Sequence, residues 1–111
     1  MSTVTDLNDD TFEAEIAQSD LAIVDFYAGW CGPCRMFAPK FKRLAKTYTH
    51  VRFFKLDGEQ SPNARKTVQI DTLPYFAAYK NGELVGGIST QKEDKFVEFV
   101  EAHFGPAEGD Q

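Results

Sequence analysis

Residues 25–34 read Asp-Phe-Tyr-Ala-Gly-Trp-Cys-Gly-Pro-Cys and hold both cysteines and the only tryptophan of the chain. They continue an apolar run, Leu21–Tyr27, whose length suits a central strand that is covered on both faces. Two thiols separated by two residues close a small disulfide ring if the second thiol lies one helical turn beyond the first. Gly32 tolerates unusual backbone dihedrals, and the fixed φ of Pro33 suits the first turn of a helix. The stretch therefore predicts a strand that leads directly into a helix at the cysteines.

Apolar spacing and turn signals predict the remaining elements. In chain order they are an edge strand around Val4, a helix over Asn8–Ala17, the strand Leu21–Tyr27, a helix from Cys31 to about Tyr48 that is kinked at Pro39, a strand over Val51–Asp57, a short helix from Ser61 to about Thr67, a hairpin of Tyr75–Lys80 and Glu83–Ile88 joined by Asn81-Gly82, and a helix from Lys92 to about Phe104.

This order predicts an α/β fold with a mixed central sheet of about five strands, flanked on both faces by about four helices. Cys31 would then stand at the carboxyl end of a central strand, where open α/β sheets usually place their sites. Asp25 is the one charged residue inside the apolar run.

Length and charge narrow the class of protein. The 111 residues suit one domain, with residues 1–105 folded and 106–111 as a flexible acidic tail. The formal net charge is -5, with 12 basic and 17 acidic residues, and Lys and Arg form no block, so nucleic acid is not expected as a partner. No stretch approaches the length of a membrane span, and Met1–Asp6 lacks a signal-peptide pattern. A cytoplasmic monomer is therefore the expectation.

Trp30-Cys31-Gly32-Pro33-Cys34 after a buried strand resembles the active-site motif of the thioredoxin family. The similarity runs from about Asp20 to Phe104, which is most of the chain. The further matching positions are the buried acid Asp25, its lysine neighbour Lys55, the helix-kinking Pro39, the cis-proline segment Leu73-Pro74 and the hairpin turn Lys80–Glu83.

Three positions depart from the family pattern. Tyr27 and Gly29 stand where many thioredoxins carry a larger aromatic residue and a bulkier or polar one. Thr90 stands where the family usually has a glycine on the surface that receives the substrate. A branched side chain there would narrow or redirect the docking surface.

The resemblance implies a thioredoxin fold and a thiol-disulfide oxidoreductase that reduces protein disulfides without a bound cofactor. Cys31, at the positive end of the helix, would attack as a thiolate, and Cys34 would resolve the mixed disulfide. Asp25 would accept the proton of Cys34, with Lys55 partly offsetting its buried charge. The residues implied to bind the substrate are Trp30, Gly32, Pro33, Leu73, Pro74 and Thr90.

The resemblance also implies partners. Thioredoxin reductase would supply the electrons, and the substrates would include peroxiredoxins, methionine sulfoxide reductase and ribonucleotide reductase. Two other functions stay open: a binding module that holds a partner in one redox state only, and an oxidase or isomerase. The Gly-Pro pair between the cysteines argues against the latter, because more oxidising relatives usually carry histidine there.

Structural alternatives exist for the same residues. The cysteines could form half of a zinc site, although the chain has no other cysteine and both histidines, His50 and His103, are isolated and read as surface residues. Asp25 could cap a turn, Lys55 could be a solvated residue at a strand edge, and Pro74 could be an ordinary turn proline.

Overall fold

A computed structural model describes residues 4–108, which fold around a five-stranded sheet. The elements are β1 (Val4–Leu7), α1 (Phe12–Ala17), β2 (Leu21–Tyr27), α2 (Gly32–Thr47), β3 (Arg52–Asp57), α3 (Pro62–Arg65), β4 (Tyr75–Lys80), β5 (Glu83–Ser89) and α4 (Glu93–Phe104). The predicted α/β fold class and the predicted order of strands and helices are confirmed.

The sheet is mixed, as predicted, and its strand order is β1-β3-β2-β4-β5. The first three of these strands run parallel, whereas β4 is antiparallel to β2 and β5 to β4. Asn81 and Gly82 have φ angles of 51° and 85°, as a two-residue hairpin turn of type I′ requires. Because β2 is the middle strand, the cysteines that follow it lie at the centre of one sheet edge.

Side-chain alternation along β2 separates two hydrophobic cores. Ile23 belongs to the core shared with α2 and α4, whereas Val24 and Phe26 belong to the core shared with α1 and α3. Asp25 points to the same face as Ile23, because alternate residues of a strand share a face. The acid therefore lies beneath α2, the helix that begins at the cysteines.

Aromatic rings fill the core beneath α2 and α4. Their centroids lie 4.7 to 6.3 Å apart, mostly in tilted or edge-to-face pairs, which are the favoured arrangements. The residues are Phe37, Phe41, Phe53, Phe76 and Phe96. This packing fixes α2, and with it the cysteines, against the sheet.

The first helix starts later than predicted, at Phe12 instead of Asn8. The side-chain oxygen of Asn8 accepts hydrogen bonds from the amides of Asp10 and Thr11, at 2.8 and 3.1 Å. These bonds hold a turn before the helix, because a short amide side chain competes with helical bonding of the backbone. The polar group therefore forms a turn before the helix, and the N-cap residue Thr11 makes no side-chain capping bond.

The short helix α3 is capped by a residue that is distant in the sequence. Ser61 is its N-cap residue, as Ser61-Pro62 in the sequence predicts, but the Ser61 hydroxyl makes no capping bond. Asp9 does so instead: its two carboxylate oxygens accept from the amides of Asn63 and Ala64, at 3.1 and 2.8 Å. A carboxylate bonds two amides at once and carries a charge that favours them, so it is a better acceptor than a hydroxyl.

We expect Asp9→Ala to lower the free energy of unfolding by about 1–2 kcal/mol, because both capping bonds are lost. Urea unfolding at pH 7 measures the change. Asp10→Ala is the matched control, since it removes the same charge from an exposed neighbouring side chain. An equal loss in both variants would show that charge, and not the cap, is responsible.

Both histidines are partly buried, contrary to the prediction that they are surface residues. A ring nitrogen of His50 donates to the Phe104 carbonyl at 3.1 Å, and one of His103 donates to the Phe99 carbonyl at 3.0 Å. Both rings thus satisfy carbonyl groups near the end of α4.

Part of the predicted tail, residues 106–111, is packed. Ala107 lies against the core beneath α4, and residues 109–111 lie outside the described residues.

None of the helices within residues 4–108 has the length and apolar character needed to cross a membrane.

Candidate active site

Cys31 and Cys34 form a disulfide at the junction of β2 and α2, with their Cα atoms 5.3 Å apart. Cys31 is the N-cap residue of α2, and its sulfur accepts a hydrogen bond from the Cys34 amide at 3.1 Å. The first turn of a helix carries roughly half an elementary positive charge at this end. Once the disulfide is opened, this environment favours the thiolate form of Cys31.

The disulfide is shielded on most sides. Cys31 and Cys34 are only 3% and 4% exposed, and Ala28, Tyr27 and Leu73 pack around them. Trp30, directly beside them in sequence, is 67% exposed. A large apolar surface therefore stands next to two sulfurs that solvent barely reaches.

A groove of about 600 Å³ runs beside the disulfide. Its lining includes Cys31 and four of the predicted substrate-binding residues, Trp30, Gly32, Pro33 and Leu73. A smaller cavity of about 150 Å³ continues past Leu73 to the other two, Pro74 and Thr90. Leu73 lines both cavities, and each of the six predicted substrate-binding residues lines one or the other.

The Leu73-Pro74 peptide bond is cis, as the resemblance implies. Pro74 is buried, and the chain continues from it directly into β4. The hydroxyl of Thr90 accepts a hydrogen bond from the Lys92 amide at 3.1 Å. Thr90 therefore adds its bulk to the smaller cavity while its hydroxyl is engaged within the chain.

Two polar contacts fix the loop around Trp30. The indole nitrogen of Trp30 donates to the Glu59 carboxylate at 2.7 Å. The Arg35 guanidinium donates to the Gly29 carbonyl at 2.8 Å. Glu59 and Arg35 are positioning residues that the sequence analysis missed. Glu59 follows the end of β3, at the sheet edge where the cysteines lie, and this position was the available signal.

Asp25 is 4% exposed, and its Oδ1 has no hydrogen-bond partner among the described residues. Burial raises the pKa of Asp25 from 3.8 to about 7, and the positive charge of Lys55 partly opposes this rise. The alternative that Asp25 caps a turn is wrong, because it lies inside β2. Its carboxyl can take up or release a proton near neutral pH.

A cavity of about 290 Å³ lies beside Asp25 beneath α2, and its lining includes Pro39, Lys42 and Lys55. It has room for water next to the carboxyl. Lys55 lies opposite Asp25 in the parallel register of β2 and β3. Because β3 is an internal strand, Lys55 is not an edge residue, although its side chain is partly exposed.

No group of three or more metal-ligating side chains that could hold an ion occurs within the part of the chain that the structure describes. The zinc alternative therefore has no ligand set there.

The sequence matches a family model described as Thioredoxin over residues 3–102. Mitochondrial thioredoxin-3 of Saccharomyces cerevisiae is 42% identical over 77 residues, covering 69% of this chain and 61% of that protein. Thioredoxin 1 of Plasmodium falciparum is 35% identical over 92 residues, covering 83% of this chain and 88% of that protein. The chain thus spans less than two thirds of the yeast relative and most of the Plasmodium one.

Solved structures agree in fold. A chain from a study of thiol resolution in yeast mitochondrial 1-Cys peroxiredoxin by glutathione and thioredoxin systems is 33% identical, with a TM-score of 0.83 over 92% of this chain and 99% of that one. A chain from a complex of ferredoxin:thioredoxin reductase with thioredoxin f2 is 30% identical, with a TM-score of 0.85 over 91% of this chain and 94% of that one. The chain therefore belongs to the thioredoxin family of thiol-disulfide oxidoreductases, and Cys31 and Cys34 are its redox-active pair.

Proposed function

We propose that this protein reduces disulfide bonds in other proteins, with Cys31 as the attacking thiol and Cys34 as the resolving thiol. One observation carries the proposal: the disulfide caps α2 beside a groove of about 600 Å³. The helix end favours a thiolate at Cys31, and the groove offers room for the polypeptide that carries the substrate disulfide.

The cycle begins with both thiols reduced. The Cys31 thiolate attacks one sulfur of the substrate disulfide, forms a mixed disulfide and expels the other substrate sulfur, which takes up a proton. Cys34 then loses its proton, attacks the Cys31 sulfur and releases the second substrate sulfur. Two electrons and two protons pass to the substrate, and the Cys31–Cys34 disulfide is left behind.

We assign proton transfer in the second step to Asp25. The acid lies on the face of β2 that α2 covers, and α2 is the helix that carries Cys34. With a pKa of about 7, its carboxyl is partly ionised at neutral pH and can accept the Cys34 proton, directly or through water in the adjoining cavity. Lys55 supplies a positive charge that limits the cost of ionising the acid.

The substrate would bind as an extended segment along Leu73 and Pro74, with its apolar side chains against Trp30 and Pro33. An extended segment gains main-chain hydrogen bonds by this mode of recognition, which suits a protein that serves several targets. The surface formed by these residues and Thr90 supports this assignment.

A thioredoxin reductase is the proposed electron donor, and peroxiredoxins are the first proposed substrates. The thioredoxin f2 complex and the peroxiredoxin study support these choices for related chains. Methionine sulfoxide reductase and ribonucleotide reductase are further proposed substrates, on the resemblance alone. A monomeric state and a cytoplasmic location stay predictions; a reducing compartment would keep the cysteine pair available as a dithiol.

The test is insulin disulfide reduction with NADPH and a thioredoxin reductase, together with the reduction potential of the Cys31–Cys34 couple against glutathione. Rapid turnover and a potential of about -270 mV, the value known for thioredoxins, would support the proposal. A potential near about -180 mV, or negligible turnover with tight binding in one redox state, would favour an isomerase or a redox-dependent binding module instead.

Glu59→Ala tests the role of Trp30 in substrate binding. We expect the KM for a protein disulfide to rise by about two- to tenfold with little change in kcat, because the indole loses one hydrogen bond that fixes it beside the groove. Steady-state kinetics measure both constants. Glu59→Gln keeps an acceptor and should lie closer to wild type, whereas a fall in kcat at constant KM would contradict this role.

A further inference from the structure

Three charged residues of alternating sign lie side by side on neighbouring strands, and they line the cavity of about 290 Å³ beside Asp25. Asp25 of β2 lies opposite Lys55 of β3, and Lys55 lies opposite Asp6 of β1. Residues that are paired across neighbouring strands point to the same face. All three side chains therefore lie on the α2 side of the sheet, and all three line the cavity.

The Lys55 ammonium is engaged by the outer acid of this row. Its Nζ lies 3.7 Å from Asp6 Oδ1. No ion pair within 4.0 Å joins Lys55 to Asp25 in residues 4–108, and Asp25 Oδ1 has no hydrogen-bond partner there. Lys55 thus acts on Asp25 from a distance, although the two residues are direct neighbours in register.

We propose that Asp6 is a positioning residue that holds the Lys55 ammonium at the outer side of the cavity and away from Asp25. The proposal rests on the proposed role of Asp25 in proton transfer. A carboxylate in close contact with an ammonium keeps its charge and is a poor proton acceptor, whereas a buried unpaired one accepts a proton readily. Asp6 would thereby set how strongly Asp25 binds the proton that Cys34 releases.

Exposure is consistent with this division of roles. The Asp6 side chain is 73% exposed and that of Lys55 is 45% exposed. An ion pair in such a setting contributes little to stability. The ion pair nevertheless fixes where the Lys55 ammonium lies relative to the buried Asp25, and this positioning requires no gain in stability.

Few other charged groups face Asp25. α2 contributes Lys42 to the cavity, and Asp6, Lys55 and Lys42 are its only charged lining residues besides Asp25 in the described part of the chain. The next pair on the same face is Tyr27 of β2 and Asp57 of β3. On the other side, β4 presents the apolar Phe76 opposite Asp25.

The test is a carbon-13 NMR titration of the Asp25 carboxyl in the disulfide form, in which the cysteines do not titrate. In Asp6→Asn, the ammonium is released to approach Asp25, so the titration midpoint should fall by roughly half to one pH unit. Asp6→Glu restores the charge and should return the midpoint to near the wild-type value. Glu13→Gln, which removes an exposed charge in α1, should leave it unchanged.

Asp6 could act on Asp25 by holding the Lys55 ammonium or directly through its own negative charge. The Lys55→Gln background separates these two effects. If Asp6 works by holding Lys55, then Asp6→Asn should shift the Asp25 midpoint less than half as far in the Lys55→Gln background. An equal shift in both backgrounds, or no shift in either, would overturn the proposal. Because the titration needs no substrate and no turnover, its failure is distinguishable from failure of the insulin assay.

Discussion

Cys34→Ser should turn the protein into a covalent trap for its substrates. Cys31 still attacks, but the mixed disulfide finds no neighbouring thiol to resolve it. An intramolecular thiol acts at a very high effective concentration, so its replacement by external thiols should slow turnover by at least about a thousandfold. Non-reducing electrophoresis after mixing with an oxidised peroxiredoxin would show the adduct, and the insulin assay would measure the loss.

Cys31→Ser is the matched control for this trap. It changes the same atom in the partner cysteine, three residues earlier, and should abolish turnover without forming an adduct. The opposite pattern, an adduct with Cys31→Ser and none with Cys34→Ser, would reverse the two roles.

Asp25→Asn should have the largest effect on stability, and the size of that effect should depend on pH. The pKa of Asp25 is raised from 3.8 to about 7 in the folded protein. The protonated acid therefore contributes stability that is fully present below pH 3.8 and is lost as the pH rises to about 7. Asparagine has no such loss, so the variant should gain about 4 kcal/mol relative to wild type between pH 4 and pH 8.

Urea unfolding of the disulfide form at several pH values between 4 and 8 measures this difference. Asp20→Asn is the control, because Asp20 is exposed directly before β2 and should show no such trend. A difference between Asp25→Asn and wild type that stays constant with pH would show that the buried acid keeps an ordinary pKa. In the redox assay, the variant should accumulate the mixed disulfide, because resolution by Cys34 is slower.

The main features of the fold follow from local patterns. The apolar run of β2, the Gly-Pro pair at the start of α2 and the Asn81-Gly82 turn each define an element by short-range chemistry, so the sequence is sufficient to predict them. The cap of α3 is different. Asp9 reaches Asn63 and Ala64 from 54 and 55 residues away, and no local pattern indicates a contact of that range.

The same distinction between local patterns and contacts of long sequence range applies to the site. The cysteine pair and the Leu73-Pro74 segment carry their own signals, and in the structure Leu73 packs against the two cysteines. The residue that pairs with Lys55 beside Asp25 and the residue that bonds Trp30 carry no such signal. Asp6 lies in a strand of only four residues, whose alignment with Lys55 is fixed by tertiary pairing. Glu59 meets Trp30 only after two separate loops have come together.

Because the two sulfurs are shielded, we expect protein disulfides and small free disulfides to react at different rates. With Cys31 and Cys34 at 3% and 4% exposure, only a narrow range of approach directions brings an incoming sulfur into contact. A small disulfide that tumbles freely seldom arrives along that range, whereas a segment lying in the adjacent groove is held within it. Discrimination between a protein disulfide and a small one therefore arises from orientation before any sulfur reacts.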